Sequence, residues 1–162
     1  MSVAATGRAA GQAGATVSAD AVVVTVGMTI TTLSDLNFGT VIKGVSTTVL
    51  PTDAAAGAWQ VTGGANAFVI ISFTLPTVLT NIQALPGSTM PITFSATSAR
   101  WNRANNNPAA GTPFDPAVGA VGRIGPPANP NMYIWLGGTV SPAAAAKPGI
   151  YQGTIVVSLI YQ

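Results

Sequence analysis

An all-β, antiparallel sandwich is predicted, and three observations predict it. Short runs of β-branched and aromatic residues are cut at intervals by Gly, Pro and Asn, the punctuation of strands joined by turns. No stretch carries the 3.6-residue apolar period of a helix. Two segments alternate strictly: Val22, Val24, Val26, Met28 and Ile30 near the start, and Ile155, Val157, Leu159 and Tyr161 at the end. Residues two apart on a strand share one face, so both segments present an apolar face that something must cover.

Residues 1–18 are almost uncharged and rich in Ala and Gly, so they read either as a floppy leader or as a tail ordered on a partner. The alternation over residues 19–33 is the best strand signal in the chain, with Gly27 as a possible divide. It is either the first strand of its own domain or a strand given to another molecule. A turn at Asp35–Gly39 follows. Strands are then expected at 45–50, 58–62, 67–75, 89–95, 132–136, 139–141 and 151–161. Pro91 interrupts one of these, which suggests an edge strand or a bulge. About eight strands in all argue for a sandwich. Residues 1–26 are assigned to an N-terminal extension and candidate donor strand, and 27–162 to the sandwich domain.

Residues 97–131 resist this reading. Six prolines and Asn105–Asn107 fall here, and some thirty residues without structure is long for a compact domain. Arg100, Trp101, Arg103, Phe114 and Arg123 lie in it. The segment is expected either to pack on its own domain or to touch a neighbouring copy.

Composition narrows the function. The chain of 162 residues is 48% hydrophobic and only 6% charged, against about 25% charged in ordinary soluble domains. So few charges leave a monomer poorly soluble and favour association with copies of itself. The six cations are scattered, so there is no nucleic-acid footprint. Cysteine, histidine and glutamate are absent and the four Asp are dispersed. That removes the thiol nucleophile, the commonest general base and the usual metal ligands; no enzyme, metal or cofactor is expected. No apolar run is long enough for a membrane helix. The first residues lack the regions of a signal peptide, leaving a cytoplasmic protein or a mature form whose signal has been removed.

With the strands placed, a resemblance emerges. Leu36-Asn-Phe-Gly39, Gln60-Val-Thr-Gly through Leu75-Pro76, Leu136-Gly-Gly-Thr139 and Gly149-Ile-Tyr-Gln-Gly through Tyr161 occur in the order of four elements of a bacterial family, domain of unknown function 4402. The likeness runs from about residue 20 to 162. The same elements are similar to spore-coat-U-like and archaic chaperone–usher pilins, whose last strand begins near a glycine and closes on an aromatic, as Gly149 and Tyr161 do here. The chain departs from many such pilins in having no cysteine.

The resemblance implies an immunoglobulin-like sandwich that lacks its final strand and is completed by the N-terminal extension of another subunit. It implies a structural subunit of an extracellular, cell-surface filament, a homopolymer of identical subunits, with a periplasmic chaperone and an outer-membrane usher as possible partners. On this view Val17, Val22, Val24 and Val26 supply the donor strand, and Ile155, Val157, Leu159 and Tyr161 wall the acceptor groove. Two alternatives stand beside it. Trp59, Trp101, Tyr133 and Trp135 could form the stacking platform of a cell-surface adhesin or carbohydrate-binding module. A charge-poor, self-associating viral or phage coat protein would share the composition.

Overall fold

The computed structural model describes residues 27–83 and 88–162. Within them the chain is all-β, with thirteen strands: β1 (Thr29–Ser34), β2 (Thr47–Val49), β3 (Gly57–Thr62), β4 (Phe68–Thr74), β5 (Val78–Asn81), β6 (Thr89–Thr93), β7 (Ala99–Arg103), β8 (Thr112–Phe114), β9 (Ala120–Arg123), β10 (Asn131–Leu136), β11 (Gly138–Val140), β12 (Tyr151–Gln152) and β13 (Val156–Tyr161). One turn of 3-10 helix, Pro108–Ala110, interrupts them. Every strand pairing is antiparallel.

One layer has the order β1-β3-β10-β7-β8. The other is built from β13-β4-β9 and β12-β5-β6-β11-β2. These two groups are successive parts of one bent layer, because β4 runs into β5 and β12 into β13 after three residues each. The bend sits where the register changes, between Gln152↔Thr80 and Val156↔Thr74. The core lies between the layers. It joins Trp59, Val61, Met132 and Ile134 of the first to Val69 and Ile71 of the second. In chain order this is the ABED and CF arrangement of an immunoglobulin sandwich. Among the described residues, no strand lies beside β13 where the seventh would stand.

The two long edges of the sandwich differ. On one, β8 ends the first layer and β2 and β9 end the two parts of the second, and Ala99 and Phe114 are buried there. On the other, among the described residues, β1 pairs only with β3, and β12 and β13 only with β5 and β4. Ile30 sits opposite Val61 and shares its inward face, yet Ile30 is 39% exposed while Val61 is 0%. The inward residues of the last strand are likewise only partly buried.

Several expectations are corrected. Residues 97–131 are not a loop without structure. They hold β7, β8, β9 and the 3-10 turn, and β7 is an interior strand of the first layer. Pro91 lies on neither an edge nor a bulge: β6 is paired on both sides. The β11 ladder ends at Ile92, and Pro91 only accepts, its carbonyl receiving the Ser141 N–H at 3.0 Å. The proline thus forgoes one bond at the very end of that ladder, where the loss is small. The single strand expected over 151–161 is two, broken at 153–155. Val17, Val22, Val24 and Val26 lie outside the described residues.

Candidate functional site

The open edge holds a groove of about 1000 Å³. One wall is the end of β1 and the segment after it, with Leu36, Phe38 and Val41; the other is residues 146–155, which lead into the last strand. Leu79, Met90, Ile92 and Val140 form the floor. Met90 and Ile92 are each 4% exposed and Val140 is 0%, so the floor is sealed by the sandwich itself. Among the described residues, the edges of β1 and β12 on either side of the groove lack a neighbour there. An edge of that kind is a template for a further strand.

Local chemistry places the walls. In Leu36-Asn-Phe-Gly39 the Asn37 Oδ1 accepts the Gly39 N–H at 2.8 Å, an Asx turn. Gly39 has φ +63°, which suits glycine. The Asn37 N–H donates to the Ala55 carbonyl at 2.9 Å and ties the turn to the body. Leu36 and Phe38 thereby both face the groove. On the opposite wall Gly149 has φ +144°, and a Cβ there would stand 2.3 Å from Asn81 Nδ2. Asn81 is buried, and its Nδ2 donates to the Pro148 carbonyl at 3.3 Å. The Ile82 N–H donates to the Ile150 carbonyl at 2.9 Å. The start of the last strand is thus fixed at one position.

Of the four residues expected to wall the groove, Ile155 lines it. Val157, Leu159 and Tyr161 continue the same face beyond it, partly buried against the main core. Tyr161 closes the far end, where its hydroxyl accepts the Gly64 N–H at 2.9 Å. Gly63 must be small, since a Cβ would lie 2.6 Å from that hydroxyl. Sequence reasoning missed Leu36, Phe38 and the floor. The first two were visible in the Leu-Asn-Phe-Gly element; the floor depends on non-local pairing of β5, β6 and β11.

The residues expected to touch a neighbour from 97–131 are occupied within their own subunit. Arg100 donates through Nη1 to the carbonyls of Pro108, Ala109 and Gly111 at 3.1–3.2 Å. Arg103 donates to Asn66 Oδ1 and to the Ile124 carbonyl. Arg123 donates to the Asn66 carbonyl at 3.0 Å and sits over the Phe68 ring, 5.0 Å from its centroid. Trp101 packs on the core and Phe114 is part of it.

The aromatic platform does not form either. Trp59, Ile134 and Trp101 lie in register across three strands, so both tryptophans share the inner face with the buried Ile134. Trp135 is on the outer face, stacked on Tyr133 at 6.2 Å, yet is only 4% exposed. Tyr133 and Trp101 are half-buried, but they lie on opposite faces of the layer.

Residues 28–161 match the family described as Domain of unknown function (DUF4402), so the chain belongs to that family. Neither the curated proteins nor the solved structures gave a match.

Proposed function

We propose that this protein is the structural subunit of an extracellular bacterial filament, and that it polymerises when a strand from residues 1–26 of one copy fills the groove of the next. One observation carries the reading: among the described residues, the edges of β1 and β12 lack a neighbour on the groove side, and the groove between them has an apolar floor of Leu79, Met90, Ile92 and Val140. A donated strand gains backbone ladder bonds on a ready-made edge. Side-chain burial adds to that pairing, at up to ~1.5–3 kcal/mol for a fully covered Val and less for Ala, before ordering costs. A donor on one end and an acceptor on the other form a heterologous contact, which grows as an open fibre unless the rotation closes.

The same groove is a liability in an unassembled subunit, since an open edge beside apolar side chains invites aggregation. A periplasmic chaperone that lends a strand, followed by an usher that exchanges it, would meet that need. The low charge of the chain fits a subunit much of whose surface is hidden in a polymer.

Deleting residues 2–26 tests the reading. The shortened chain should stay monomeric and should bind a synthetic peptide of residues 1–26 with a rise in melting temperature that grows with peptide concentration. Electron micrographs of the intact protein should show fibres. Closed shells would favour the coat-protein alternative, and fibres formed by the shortened chain would overturn strand donation.

A further inference from the structure

We infer that Lys43 and Lys147 hold Asp20 of the incoming copy at the mouth of the groove and so set the register of the donated strand. This rests on the filament reading above. The chain has two lysines, and both line this groove. They sit at the end where the last strand begins: the Tyr151 hydroxyl donates to the Lys147 carbonyl at 2.7 Å, and Gly44, next to Lys43, donates its N–H to the Pro142 carbonyl at 2.9 Å. Both are exposed. Asp35 is the third charged residue on the lining, so the mouth keeps a net positive charge. Residues 1–26 contain a single acid, Asp20.

The length and exit point of the extension fit this pairing. β1 begins at Thr29 opposite Thr62, at the end of the sandwich where Gly64 meets Tyr161. The lysines lie at the other end. When copies stack in one orientation, the exit end of each body meets the lysine end of the next. Fully extended, residues 1–26 span at most roughly 90 Å. The last strand from residue 149 to 161 spans roughly 40 Å. The extension can therefore cross the junction and still fill the groove. Residues nearest the donor's body stay at the mouth, and those before them run along the last strand. Asp20 then stands at the lysines, Val17 and the small residues before it lie along the strand edge, and Val22, Val24 and Val26 bridge the two bodies.

Charge exchange in the full-length chain tests this. Asp20→Lys, and separately Lys43→Asp with Lys147→Asp, should each slow fibre growth roughly three- to tenfold at low salt, as expected for rim charges that steer and register a partner. The effect should fade at about 0.5 M salt. Combining all three substitutions should restore growth to within about twofold of the starting chain. Light scattering and electron microscopy give the readout, and circular dichroism melts establish that each variant folds. Since the chain has no cysteine, Ser18→Cys with Lys147→Cys introduces the only two thiols, and a covalent ladder after oxidation, with 18–147 links found by mass spectrometry of its digest, supports the register. Wild-type growth of Asp20→Lys at low salt, no recovery in the combined variant, or no ladder overturns the anchor. Those results leave strand donation standing if removal of residues 2–26 still abolishes fibres; fibres from the shortened chain sink the reading beneath it.

Discussion

Ile155→Ala and Ile71→Ala remove the same atoms from two positions that differ in one respect. Ile71 is 0% exposed at the centre of the core. Ile155 packs partly on that core and partly faces the groove. Truncating a fully buried Ile costs about 2–5 kcal/mol, the transfer term plus the cavity left behind. At Ile155 the solvent already covers part of the side chain and no closed cavity forms, so the isolated subunit should lose only about 1–2 kcal/mol. In the fibre, a donated strand covers Ile155 and the loss should approach that of a buried site. The extra 1–2 kcal/mol appears as roughly 5- to 30-fold faster subunit dissociation. Denaturant unfolding of the chain lacking residues 2–26 measures the first quantity, and fibre dissociation in denaturant the second. If Ile155→Ala weakens the isolated subunit as much as Ile71→Ala and leaves fibres unchanged, the groove is not the acceptor site.

Further outcomes follow from single contacts. Tyr161→Phe removes the acceptor of the half-buried Gly64 N–H and should lower stability by about 1–3 kcal/mol in denaturant melts. Gly149→Ala drives a Cβ toward Asn81 Nδ2 at a φ that L-residues avoid; a loss above about 1 kcal/mol and slower fibre growth are expected. Arg100→Ala removes a donor from three carbonyls around the 3-10 turn, so hydrogen exchange should quicken at residues 109–111 while fibres persist. A loss of fibres there would show that this segment does touch a neighbour.

Much of this architecture was legible in the sequence where pairing is local or alternation is strict. The face shared by Ile155, Val157, Leu159 and Tyr161 followed from spacing alone, and the structure keeps all four on the core side. The strands of 97–131 were hidden because their partners are distant: β7 pairs with β10 and β8, and only that pairing outweighs the prolines. Pro113 is tolerated because β8 is an edge strand. The tryptophans show the other limit. Period two says that Tyr133 and Trp135 share a face, but not which face is covered. That depends on register with Trp59 and Trp101, which no single segment contains.

The groove also explains how an extension of Ala, Gly, Thr and Val could serve as a donor. Its floor is sealed before anything enters, with Met90, Ile92 and Val140 already buried. The gain on filling therefore comes less from bulky side chains reaching a core than from pairing two bare edges and capping the walls. Small residues suit that task because they let strands approach closely. A contrast between side-chain and backbone changes follows. Val17→Ala should weaken fibres only about two- to fivefold, the loss of two methyl groups at a partly covered site. Val17→Pro removes a ladder donor as well and should weaken them by tenfold or more, whereas Val24→Pro should be tolerated if the register proposed above holds. Fibre yield and dissociation rate across such a proline series would trace the donated stretch residue by residue. Equal effects of Ala and Pro at position 17 would mean that side-chain burial, not strand pairing, holds the copies together.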